Sequence, residues 1–360
     1  MMSLARILAC GRTRVGRQLA TGFAGALLFG TSLVGLGAPA SAAPTTVQPA
    51  TSRPADGVSV ARTTLVVQCA GAPLALPATW YLPSGTPRGF VWLQHGFART
   101  AANLDAQARS YAEHSLVVMA PTISSFSASG CAIASNIASN STFTEEMASV
   151  FAAGTDPTGA LGISLHRAEA MAHRSEEPMP TTMIFSGHSA GGEFVLTTAD
   201  KLRIDHPQQF SRLRGLVLFD PVASFVGDGF ATAATDLANA NGKGGGPTIR
   251  VIASPPSPSN ADGRGVLILS TSTHQAFLGT RLTTGIHIDV EGESTDILGI
   301  ASELAVPDPR NVAVLRTLSN AWATDIFDGG FQSEYYPGGT YYDALISTHR
   351  ATTLSVGAAR

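Results

Sequence analysis

Gly187-His188-Ser189-Ala190-Gly191 sets a serine between two glycines in the pattern G-x-S-x-G, and Gly192 extends it. The apolar run 182–185 precedes this pentapeptide, and a stretch of helical character follows it to about residue 202. Strand, sharp turn and helix together make the setting of a nucleophile elbow. The turn holds the serine backbone in a strained conformation, and the small neighbours let strand and helix approach without collision. Ser189 Oγ would then stand at the carboxyl edge of a sheet, beside a helix N-terminus that favours developing negative charge. A serine hydroxyl is a poor nucleophile until a base removes its proton, and that base is usually a histidine oriented by a carboxylate. The chemistry at stake is acyl transfer through a covalent intermediate.

Behind an elbow of this kind the acid and then the histidine follow the serine along the chain. That order leaves His206, His274, His287 and His349. His206 lies at a helix end in Asp205-His206-Pro207, and His349 lies beyond the long helix expected over 311–327. His287 follows Gly285 and a run, 280–284, that reads as the start of the last strand, so it is taken as the base, with His274 as the alternative. Asp220 ends the apolar run 216–219, and Pro221 stops the strand there. It is taken as the acid, with Asp228 and Asp262 as rivals; the loop carrying Asp262 follows the expected strand 249–253. The tetrahedral intermediate needs two N–H donors. Ala190, after the nucleophile, and Phe97, after the strand ending Gln94-His95-Gly96, are the expected pair. The Phe97 ring and the His188 side chain are assigned to substrate binding.

Elements able to position these groups can be read along the chain. Runs 63–68 and 74–81 suit an antiparallel hairpin, while 90–93, 116–119, 182–185, 216–219 and 249–253 read as short buried strands. Helical spacing fills 104–114, 143–153, 160–172 and 311–327, and the apolar run 266–269 is too short to type. Strands alternating with helices imply a mostly parallel sheet covered on both faces, an α/β fold. Residues 61–360 read as one domain.

Composition narrows the function. Lys plus Arg is 23 against 26 Asp plus Glu, so no basic excess exists to hold a nucleic acid. Residues 1–42 carry Arg6, Arg12, Arg14 and Arg17, no acid, an apolar middle and Ala38-Pro39-Ala40-Ser41-Ala42, which together read as a secretory signal peptide cleaved near Ala42. Residues 43–60 read as a flexible leader. No stable membrane insertion is expected. Beyond the signal, Cys69 and Cys131 are the only cysteines, and an exported chain favours a disulfide between them. No Cys/His spacing supports a metal site, although Asp289, Glu291, Glu293 and Asp296 could hold Ca²⁺ or, more simply, form a hydrogen-bonded loop. Asn140-Ser141-Thr142 is a glycosylation sequon by pattern alone.

Leu93-Gln94-His95-Gly96-Phe97, Gly187-His188-Ser189-Ala190-Gly191-Gly192 and Phe219-Asp220-Pro221-Val222 occur in an order that resembles the α/β-hydrolase superfamily over about residues 63–345. Among its branches the chain looks most like compact secreted esterases, cutinases and polyester-hydrolase-like lipases. Asp220-Pro221-Val222 is similar to chlorophyllase-like members, which place their acid there. His287-Ile288-Asp289 is similar to the His-x-Asp segment of these branches. The resemblance implies a Ser189-His287-Asp220 triad cleaving small or polymeric carboxylic esters, with no cofactor, no large lid and a monomeric state. An amidase, a peptidase or an acyltransferase would use the same triad, and a non-catalytic binding protein could occupy the same fold.

Overall fold

The computed structural model describes residues 57–134, 142–240, 245–273 and 275–355. The expected signal peptide, most of the leader, the sequon residues Asn140 and Ser141, and the alternative base His274 lie outside the described residues. Among the described residues nine strands make one sheet: β1 Ser59–Cys69, β2 Ala72–Leu82, β3 Gly89–Gln94, β4 Leu116–Pro121, β5 Met183–His188, β6 Leu213–Phe219, β7 Thr248–Ala253, β8 Gly279–Leu282 and β9 Ala351–Leu354. The helices are α1 Asp105–Glu113, α2 Thr142–Ala152, α3 Ala160–Met171, α4 Ala190–Asp205, α5 Pro207–Phe210, α6 Gly229–Ala238, α7 Arg264–Ser272, α8 Ile297–Glu303, α9 Pro309–Asp328 and α10 Thr340–Ser347.

The strand order is β1-β2-β4-β3-β5-β6-β7-β8-β9. Strands β4, β3, β5, β6, β7 and β8 run parallel, while β1–β2, β2–β4 and β8–β9 pair antiparallel. This arrangement, with the serine turn directly after β5, is the α/β-hydrolase fold. Every residue of β3, β4 and β5 is buried, as expected of strands covered on both faces. Alternation decides the face. Phe90 and Trp92 join a core with α2, α3, α4, α6 and α7, whereas Val91 and Leu93 join a second core with α1, α9 and α10.

The structure types one open run and changes two expectations. Residues 266–269 belong to helix α7, whose buried Val266 and Leu269 are three apart on one face. The run 280–284 is not the last strand: β8 stops at Leu282, and β9 closes the sheet edge after α8, α9 and α10. The expected leader overlaps the sheet at its end, because β1 begins at Ser59 and pairs with Leu82.

Cys69 and Cys131 form a disulfide with Cα atoms 5.9 Å apart, spanning 62 residues. It joins the tip of the first hairpin to the loop after β4. Replacing both with serine should lower stability by about 2–4 kcal/mol. The expected reading is a lower urea midpoint with an unaltered far-UV spectrum.

Candidate active site

Ser189 follows the last residue of β5 and precedes the first of α4. Its backbone sits at φ +56° and ψ −128°, a strained conformation for a residue with a side chain. Close packing enforces the turn. A Cβ at Gly187 would stand 2.5 Å from the Gly191 carbonyl oxygen, and one at Gly191 would stand 2.3 Å from the His95 carbonyl oxygen. Neither position has room for alanine. Backbone bonds then fix the serine against the next strand: Ser189 N–H donates to Phe219 O at 3.1 Å, and Val222 N–H donates to Ser189 O at 3.1 Å.

Ser189 Oγ lies 2.8 Å from His287 Nε2, and His287 Nδ1 lies 2.7 Å from Asp220 Oδ2. A carboxylate only accepts, so Nδ1–H donates to Asp220 and Nε2 is left to accept the serine proton. All three residues are buried but not sealed, at 8%, 8% and 5% exposure for Ser189, His287 and Asp220. Asp220 stands just past β6 with φ +42°. Its carboxylate also accepts from Ser254 N–H at 3.1 Å, Ser254 Oγ at 2.6 Å and Asn260 Nδ2 at 3.2 Å. The loop after β7 thus supplies donors to the acid rather than a rival to it. Asp262 in that loop is exposed.

His287 sits in a turn held by Asp289, whose Oδ2 accepts the Ile286 N–H at 3.0 Å. Burial raises the Asp289 carboxyl to about 6. The His287 carbonyl accepts from His188 Nε2 at 2.8 Å, and the two rings lie 4.7 Å apart. Burial, with His287 beside it, holds His188 well below its ordinary pKa, so its ring is neutral. His188 is only 2% exposed, with Nε2 bonded to the His287 carbonyl, which leaves little of the ring open for the substrate contact expected from sequence.

The loop after β3 packs directly on the nucleophile: a Cβ at Gly96 would stand 2.8 Å from Ser189 Cβ. The next N–H, that of Phe97, makes no hydrogen bond among the described residues. Ala190 N–H heads α4, where the first turn leaves donors without intrahelical acceptors. The Phe97 ring is 42% exposed and meets Phe126 edge-on at 4.8 Å. His95 braces this loop. Its Nδ1–H donates to Gly96 O at 2.8 Å and its Nε2 accepts the Ile123 N–H at 3.0 Å. Burial lowers its pKa to about 4.

The acidic cluster does not converge on a common point. Glu291 and Asp296 both pair with Arg99, and Glu293 pairs with Arg316. Among the described residues no group of three His, Cys, Asp or Glu is placed to hold a metal ion. A cavity of about 540 Å³ opens among Leu213, Thr248, Arg250 and Ile326, at the opposite end of the parallel strands from Ser189. Sequence reasoning did not single out Ser254, Asn260 or Arg99. Ser254 follows the end of β7 directly, a signal open to reading; Asn260 lies six residues further on, and Arg99 meets its partner 192 residues away, so neither has one.

Among the described residues no helix is long and apolar enough to cross a membrane. No protein-family model matches the chain, and no curated protein matches its sequence. Solved structures similar to it include the monoclinic form of a Pyrobaculum calidifontis esterase, at 17% identity over 73% of this chain and 86% of that one, with a TM-score of 0.42. Another is a structure of arylesterase, at 15% identity over 74% of this chain and 85% of that one, with a TM-score of 0.44.

Glu193, in the first turn of α4, is buried and accepts the Ser224 N–H at 3.0 Å. Burial raises its carboxyl from 4.5 to about 7. Between those values the folded chain holds the proton more tightly than the unfolded chain, so stability falls as pH rises through that window. Glu193→Gln should remove this contribution, matching the parent at pH 4 and exceeding it by roughly 2–3 kcal/mol at pH 8. Urea midpoints of the two proteins at both pH values check it; parallel pH profiles would refute it.

Proposed function

We propose that this chain is an exported serine hydrolase that cleaves carboxylic esters, small or polymeric, in which Ser189, His287 and Asp220 act as a catalytic triad. The observation that carries the reading is the unbroken contact series from Ser189 Oγ through the imidazole to the Asp220 carboxylate. Ser189 Oγ attacks the ester carbonyl carbon as its proton passes to His287 Nε2. Asp220 keeps the imidazole in the tautomer that accepts at Nε2 and stabilises the imidazolium that forms. Its own charge is steadied by Ser254 and Asn260. The Phe97 and Ala190 N–H groups are the proposed donors to the tetrahedral oxyanion, a role supported by Ala190 following the nucleophile at the head of α4 and by the packing of Gly96, next to Phe97, on Ser189. When the carbon–oxygen bond breaks, the leaving alcohol takes the proton from His287, and the acyl group stays on Ser189. Water, deprotonated by His287, then releases the acid by the reverse sequence. The relay acts through protein groups alone and calls for no cofactor. The signal-peptide pattern of residues 1–42 and the Cys69–Cys131 bond support an exported protein.

On p-nitrophenyl esters, Ser189→Ala should lose at least about 10⁴-fold in kcat/KM, and Asp220→Asn about 10⁴-fold in kcat. Both should keep the parent circular dichroism. Undiminished turnover by Ser189→Ala would remove the reading. A panel of esters with rising acyl length, together with a polyester film, defines the preferred substrate, with the serine variant as the blank.

A further inference from the structure

Two loops approach Ser189 from opposite sides, and one buried ion pair fastens them together. The loop after β3 carries Phe97 and, two residues on, Arg99. The loop after β8 carries His287 and, four residues on, Glu291. Arg99 Nε donates to Glu291 Oε1 at 2.7 Å, and its Nη2 donates to Glu291 Oε2. Its Nη1 donates to Asp296 Oδ1 at 2.7 Å. The Arg99 side chain is 8% exposed and that of Glu291 is wholly buried. Thr295 Oγ1 donates to Glu291 Oε2 at 2.6 Å, and Asn103 Nδ2 donates to Asp296 Oδ2 at 3.2 Å, so the carboxylates are themselves held in place. Helix α8 closes over the guanidinium: a Cβ at Gly299 would stand 2.6 Å from Arg99 Nη2.

We propose that Arg99 is a positioning residue that fixes the distance between the Phe97 N–H and the His287 imidazole. The proposal rests on the ester-hydrolase reading, because it assigns those two groups to oxyanion and base. Three donors of one planar fork meet two carboxylates of the opposite loop, a geometry a lysine ammonium cannot reproduce. A slip of the two loops past each other would separate the oxyanion donor from the base while leaving the cleft in which the substrate lies. Binding of the ground state would survive, and stabilisation of the transition state would not.

The test compares Arg99→Lys, the doubly apolar Arg99→Met/Glu291→Met and, as control, Arg316→Lys, whose guanidinium pairs with the exposed Glu293 on the same loop. Rates on a p-nitrophenyl ester are expressed per folded molecule, measured by near-UV circular dichroism. Arg99→Lys should lower kcat about 10- to 100-fold with KM changed less than about threefold. Affinity for a boronic acid, which forms a tetrahedral adduct on Ser189, should fall in proportion to kcat/KM. The double variant leaves no unpaired charge on Glu291, so it separates misplacement from misfolding, and it too should lose kcat. Wild-type kcat per folded molecule in either Arg99 variant overturns the proposal, as does an equal loss in Arg316→Lys. Absence of ester hydrolysis in the parent protein is the separate outcome that removes the underlying reading, and the proposal with it.

Discussion

Absence of side chains at the β5–α4 crossing is the constraint on which the site depends. Gly187 and Gly191 let the strand end, the first helical turn and the His95 carbonyl meet at distances no Cβ would permit. The strained Ser189 backbone is held in that crossing, and its N–H and carbonyl bond to Phe219 and Val222. Asp220, between those two residues, donates its own N–H to Ile252 O at 2.8 Å. Backbone hydrogen bonds therefore carry the register from β5 through β6 to β7. The serine and the carboxylate are placed by the same lattice, before any side chain contact between them and the histidine is made.

The histidine needs other means, since it arrives on a loop rather than a strand. Three constraints act on it: Asp220 at Nδ1, His188 at its carbonyl, and the Asp289 turn at its backbone. Two neighbouring histidines, His95 and His188, are kept neutral by burial, so they brace the loops without adding positive charge beside the imidazole. The nearest permanent cation on those loops, Arg99, is neutralised by two carboxylates. This leaves the Asp220 charge as the one in direct contact with His287.

What the sequence disclosed followed how local each feature is. The elbow was legible because strand, glycines and helix lie within some twenty residues, and Asp220 because a proline marks the strand end beside it. The parallel core was legible from fully apolar runs. The short run 266–269 was not, since four apolar residues satisfy a strand or one helical face equally. Strand β9 was missed because Ala351-Thr352-Thr353-Leu354 is brief and half polar, and only its pairing with β8 makes it a strand. The position of His188 beside the serine is visible in sequence, whereas its burial is visible only in the fold. The Arg99 pair joins residues almost two hundred apart, which no spacing rule could suggest.

The Cys69–Cys131 bond turns part of the chain into a covalent ring. That ring encloses β2, β3, β4 and α1, and with them Phe97, Arg99 and Phe126. A protease that cuts any one peptide link inside it, for instance in the polar stretch beside the exposed Phe126, releases no fragment. The nicked molecule would keep its mass on a gel run without thiol and split into two bands when thiol is added.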